Sequence, residues 1–201
     1  MEGMLKLYSP INELKQIGEE IWIVDGNEIH MSFKLFKVPF TTRMTVVKLD
    51  NNKLWIHSPI AFNKELDEKI KELGEIEHIV APNKYHYSYV LDWYKHYPDA
   101  KVWLAKGVSS KLKTDEGENF VSLDNISKTS WSEEILFTPF KGSIAMEEMV
   151  FFHKKSSTLI LTDLIESIEV NKLPLLYKLV FKFGDNKYPK FRTSRDLRLS
   201  F

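Results

Sequence analysis

The stretch from Glu77 to Ala105 constrains the fold more than any other part of the chain. A short apolar run, Ile79-Val80-Ala81, stops at Pro82, a polar loop leads to His86, and Tyr89, Trp93 and Tyr97 then recur every four residues before Pro98. A second apolar run, Val102 to Ala105, follows. A spacing of four gathers side chains on one helical face, and proline ends such a helix because it lacks an N–H and crowds the preceding turn. Strand, helix and strand within about thirty residues make a parallel crossover. Such a unit needs a sheet with a helix packed on it, and ligands bind outside the carboxyl ends of its strands. The Pro82–His86 loop stands at that end.

On the N-terminal side, Ile21-Trp22-Ile23-Val24, Met44 to Leu49 and Leu54-Trp55-Ile56-His57 are rich in β-branched and aromatic residues, the last two joined through Asp50-Asn51-Asn52. They predict an antiparallel meander. Asn63 is placed to cap a helix running to Leu73, with Leu66, Ile70 and Leu73 on one face, acidic residues in the first turns and Gly74 as its stop. Thr114 to Ser132 is polar and reads as a long loop. Ile135–Thr138, Met149–His153 and Ser157–Thr162 predict a second meander, its last two strands joined at Lys154-Lys155-Ser156.

Leu175, Leu176, Leu179, Val180 and Phe183 follow helical spacing within an apolar run far shorter than the ~20 residues needed to cross a bilayer. They read as a core-facing helix or, alternatively, as a membrane-surface or partner-binding one. Five basic residues (Lys187, Lys190, Arg192, Arg195, Arg198) against Asp196 make the last segment either a solvated terminus or an arm for an anion or partner.

With 201 residues and no cysteine, the chain fits one soluble globular domain spanning 1–201 that needs no disulfide and has no thiolate ligand or nucleophile. Twenty-eight basic against 28 acidic residues argue against nucleic acid as the partner. The N-terminus lacks a charged start, apolar run and cleavage site, which predicts a cytoplasmic location without a transmembrane segment.

Meander, strand-loop-helix-strand, then a second meander ending in Thr158-Leu159-Ile160-Leu161-Thr162-Asp163 resembles the metallo-β-lactamase fold. Together with Trp55-Ile56-His57-Ser58-Pro59 and Ala81-Pro82-Asn83-Lys84-Tyr85-His86, that segment looks like a domain-of-unknown-function branch of the fold, over residues 5–164. The resemblance implies an α/β αββα sandwich of two mixed sheets, here with a shortened C-terminal part: residues 165–201 read as a helix and basic tail.

It also implies a metal-dependent hydrolase, but the sequence departs from the family's metal motif. The His-x-His-x-Asp-His loop becomes Asn83-Lys84-Tyr85-His86-Tyr87-Ser88, the third histidine expected near Pro139 to Lys141 is absent, and no histidine follows His153. Asp163 alone stands where the bridging carboxylate belongs. His86, Asp163, His57 and Asn83 are the candidate ligands for one zinc, iron or manganese ion, or for none. Each has a second reading. His86 can hydrogen-bond its own turn, Asp163 can cap a helix, and His57 can be a satisfied strand-end histidine.

His30, His78, His96 and His153 are expected on loops, strand starts or exposed helix faces, without chemistry. Ser58-Pro59 lacks the flanking glycines of a nucleophile elbow and reads as a turn. Lys141-Gly142-Ser143 is either a plain turn or an oxyanion-binding one. Tyr85 and Lys141 are the candidate substrate contacts.

Two functions follow. One is a divergent metallo-hydrolase of a small ester, amide, thioester or phosphoester. The other is a relative that binds a small molecule or protein without metal. A sheet edge left uncovered by the shortened C-terminus motivates a homodimer.

Overall fold

The structure, a computed structural model, describes residues 5–33, 36–115, 117–124, 126–173, 177–178 and 185–201. Seven strands form one mixed sheet in sequence order: β1 (Lys15–Gly18), β2 (Ile21–Phe33), β3 (Phe36–Lys48), β4 (Lys53–His57), β5 (Glu75–Ala81), β6 (Lys101–Leu104) and β7 (Phe120–Ser122). Strands β1 to β4 are an antiparallel meander and β4 to β7 run parallel. Helix α1 (Lys64–Leu73) joins β4 to β5, α2 (Val90–His96) joins β5 to β6, and α3 (Val108–Leu112) lies between β6 and β7. A second sheet, β8 (Ile135–Phe140), β9 (Glu148–His153) and β10 (Thr158–Ile160), is antiparallel and ordered β10-β9-β8. A short helix, α4 (Arg195–Arg198), lies near the end.

The expected helix after Asn63 forms as its sequence dictates. The Asn63 side chain accepts from Leu66 N at 2.9 Å, and Leu66 and Ile70 are buried. Gly74 ends it where a Cβ would collide with the Asn52 carbonyl oxygen. The crossover helix is shorter than its aromatic spacing suggests, because residues 83–89 are spent on turns that build the loop beside the site. The segment read as a loop from Thr114 contributes β7, which extends the parallel sheet. The strands read at Ile21 and Met44 belong to a longer hairpin, bulged between Asp25 and Glu28.

Because side chains alternate across a strand, Trp55 and Trp103 face the second sheet. There they meet Trp131 edge-on, with ring centroids 5.9 and 5.5 Å apart, and Trp55 meets Phe151 at 5.1 Å. The alternate set, including Leu54, Ile56, Ile79 and Val102, is fully buried as well, so both faces of the large sheet are covered. Burial of aromatic side chains of this size stabilises by roughly 1.5–3 kcal/mol each.

The basic terminus is exposed over much of its length, as a solvated terminus would be, but it is tied to the rest of the domain. Residues 166 and 192 exchange backbone hydrogen bonds, Ile144 N donates to Ser200 O, and Asp185 pairs with Lys190, Arg192 and Arg198. Those three cations hold the Asp185 carboxyl far below the usual range. The apolar run from Leu175 to Phe183 lies largely outside the described residues. No helix among the described residues is long and apolar enough to cross a membrane.

Candidate functional site

Strands β4 and β5 are parallel neighbours, so the chain leaves both at one end of the sheet. Ser58 follows β4, and Pro82-Asn83 follows β5. The Ser58 N–H donates to Val80 O at 2.9 Å and ties the two exits together. Ser58 adopts a φ of 52°, in the left-handed region that side chains with a Cβ seldom occupy. Its Oγ lies 2.7 Å from His86 Nδ1, and His86 Nε2 lies 3.2 Å from Asp163 Oδ1.

Asn83 holds this line in place. It is fully buried, and its Oδ1 accepts from the backbone N–H groups of Tyr85 at 2.8 Å and His86 at 3.0 Å. Its Nδ2 donates to Asp163 Oδ2 at 2.8 Å, Thr162 Oγ1 at 2.9 Å and Glu148 Oε2 at 3.2 Å. Glu148, at the start of β9, is itself buried. Its carboxylate accepts from Thr162 N and Asp163 N at 2.8 and 2.7 Å, Thr162 Oγ1 at 2.6 Å and Leu164 N at 3.2 Å. Two buried side chains therefore fix the loops carrying His86 and Asp163, with every partner a hydrogen-bond donor or acceptor of matching sense.

Burial disfavours the His86 imidazolium, but the Asp163 carboxylate bonded to it, with Glu148 and Glu166 behind, outweighs this and raises its pKa above the usual histidine value. Burial likewise works against the Asp163 carboxylate, and His86 with the Asn83 amide outweighs it, so that its pKa falls. The pair is an ion pair or a strong hydrogen bond according to pH.

Three of the four candidate ligands, His86, Asp163 and Asn83, are hydrogen-bonded to one another. Both His86 nitrogens and both Asp163 oxygens are already engaged. Asn83 turns its amide nitrogen, not its oxygen, toward the carboxylates. His57 lies on the same face of β4 as Trp55, turned into the core between the sheets, its ring stacked on Trp55 at 5.3 Å and edge-on to Phe151 at 5.3 Å. Its Nε2 is buried with no hydrogen-bond partner among the described residues, and burial, reinforced by His86, pushes its pKa down to about 3. Among the described residues no group of three His, Cys, Asp or Glu side chains is placed to hold a metal ion.

Of the other histidines, His96 lies exposed on a helix as its sequence reading expects, and three differ. His78 and His153 are buried within the strands: His78 bonds Trp103 Nε1 at 3.3 Å, and His153 bonds Ser156 Oγ at 2.7 Å. His30 lies inside β2, and His96 stacks on Phe62 at 3.7 Å. Asp163 starts no helix. Lys141 is exposed, and Ser143 accepts from Ala145 N and Met146 N in its own turn.

The Ser58–His86–Asp163 line opens into a cavity of about 1030 Å³. Ile29, Met31, Val38 and Phe40 of the long hairpin, with Met146, Leu197 and Leu199, give it apolar walls; Tyr85, Arg43 and Arg195 also line it. Arg43 pairs with buried Asp25 at 2.6 Å. Apolar walls with a small convergent polar group are the usual make-up of a small-molecule site.

Sandwich, strand-end loops and cavity together define a metallo-β-lactamase-like fold. The DIM-1 metallo-β-lactamase exposed to ceftazidime aligns over 98% of this chain and 94% of its own, with a TM-score of 0.57 at 12% identity. TMB-1 aligns over 92% of both chains (TM-score 0.55, 10% identity), and the metallo-β-lactamase from Hirschia baltica over 94% of both (0.54, 11%). At this identity the likeness is one of fold. The model of a family described as a domain of unknown function, DUF4336, matches residues 19–196, and the chain belongs to that family. No curated protein matches the sequence.

Proposed function

We propose that this domain binds a small amphipathic molecule in the 1030 Å³ cavity, without a resident metal ion. The apolar part rests on the β2–β3 hairpin and the C-terminal segment, and a polar group reaches Ser58 and His86. One observation carries the choice between a metal-dependent hydrolase and a metal-free site. The side chains at the metal-loop positions are bonded to one another through Asn83, Asp163 and Glu148, with an amide N–H where a ligand oxygen would be needed.

The test is a titration with Nile red, a neutral apolar dye. Saturable binding at one dye per chain is expected, weakened at least tenfold by Met146→Trp, which fills the cavity beside the polar line. Equal binding by the wild type and this variant would place the dye elsewhere and remove the reading.

A further inference from the structure

We propose that Ser58 is a nucleophile and that Ser58, His86 and Asp163 form a metal-independent acyl-transfer site for carboxylic esters with an apolar acyl or alcohol part. This rests on the cavity being a ligand site. The three side chains stand in line, Oγ to Nδ1 at 2.7 Å and Nε2 to Oδ1 at 3.2 Å, and all three line the cavity. A hydroxyl, a base that takes its proton and a carboxylate that orients the base are recognised as a unit by geometry and role, not by sequence order or flanking glycines. Ser58 occupies a strand exit in left-handed conformation, the kind of sharp turn that presents a nucleophile. Asn83 and Glu148 act as positioning residues, holding Asp163 from Oδ2 and from its backbone N–H.

The chemistry balances with water alone. Ser58 Oγ attacks the ester carbonyl carbon, His86 Nδ1 takes the hydroxyl proton, and the carbonyl π electrons move to its oxygen. That electron pair returns as the bond to the alcohol oxygen breaks, and the leaving alcohol takes the proton from His86. Water then attacks the acyl carbon as the same nitrogen takes its proton, the acyl–Oγ bond breaks, and His86 returns that proton to Ser58 Oγ, releasing the acid and restoring both side chains. Throughout, Asp163 Oδ1 accepts from Nε2–H.

One departure sets the rate. Pro59 has no N–H, and the Ser58 N–H is committed to Val80 O, so the backbone donors of an elbow are missing. Losing one oxyanion donor costs about 10²–10³ in rate. Acylation is therefore expected to be seen first as stoichiometric labelling, with slow turnover.

The experiment uses the full chain and an alkyl fluorophosphonate, whose phosphorus Ser58 Oγ attacks with loss of fluoride. Intact mass should show one adduct per chain, and digestion should place it on the peptide Leu54–Lys64, which contains Ser58. Ser58→Ala should abolish labelling. His86→Ala and Asp163→Asn should slow it at least tenfold, with unfolding midpoints measured in parallel. An adduct on another serine overturns the proposal. No adduct while Nile red binds overturns it and leaves the cavity reading standing; if neither binds, both fall.

Discussion

Asn83 Nδ2 lies 2.8 Å from Asp163 Oδ2, while Asn83 Oδ1 accepts the His86 backbone N–H at 3.0 Å, so one buried amide fixes both halves of the imidazole–carboxylate pair. Asn83→Asp keeps the shape and the acceptor but turns the donor into an oxygen facing Asp163 and Glu148. A buried charge against two others loses its donor bonds at about 1.5–3 kcal/mol each. Urea denaturation should show at least that loss near neutral pH. A variant as stable as the wild type contradicts the network.

Glu148→Gln tests the second tie. The carboxylate faces donors only: two backbone N–H groups within 2.8 Å, a third at 3.2 Å, the Thr162 hydroxyl and the Asn83 amide. An NH2 in place of one oxygen must confront a donor. Destabilisation of about 1–3 kcal/mol is expected by the same titration, with no change in far-ultraviolet circular dichroism. An unchanged urea midpoint would show that the carboxylate does not hold the Thr162–Leu164 loop.

Acid stability follows from two buried neutral rings. Burial pushes His57 down to about 3, and burial with Lys101 and Lys53 pushes His78 down to about 4. Above the unfolded value of about 6.5, both states carry neutral rings and nothing is lost. As pH falls below it, the unfolded chain binds protons that the folded one refuses, so stability drops by about 1.4 kcal/mol per pH unit for each ring until its folded pKa is reached. His86 contributes with the opposite sign, because Asp163 raises its folded pKa above the unfolded value. His57→Phe, which suits a site between Trp55 and Phe151, should make the fall between about pH 5.5 and about pH 4 shallower. A slope equal to the wild type contradicts the burial account.

The parts legible in the sequence were those with local causes. The cap at Asn63, the apolar spacing of Leu66 and Ile70, and the two runs around the crossover loop each declare themselves within about a dozen residues. The long hairpin did not, because its bulge at Asp25–Glu28 and Pro39 break the alternation that marks a strand. β7 is three residues long and owes its form to pairing with β6.

In the site, the resemblance to the metallo-β-lactamase fold picks out His86, Asn83 and Asp163, and the structure brings these three together. Ser58 lacks the flanking glycines that mark a nucleophile in sequence, and His86, in the loop after β5, is what gives its hydroxyl a partner. Glu148 carries no local signal at all. Its partners lie 14 to 65 positions away, and only the docking of β9 beside the Asn83 loop joins them. A glutamate opening an otherwise apolar strand, Glu148-Met149-Val150-Phe151-Phe152, was the one available hint.

The most direct test of the central claim is metal stoichiometry. The protein, purified without chelator or nickel resin, is dialysed against zinc, iron or manganese and then metal-free buffer, and the retained metal is measured by elemental analysis. With both His86 nitrogens and both Asp163 oxygens engaged inside the protein, no stoichiometric retention of any of the three is expected. Retention of about one equivalent per chain, lost in His86→Ala and Asp163→Ala, would contradict a metal-independent site.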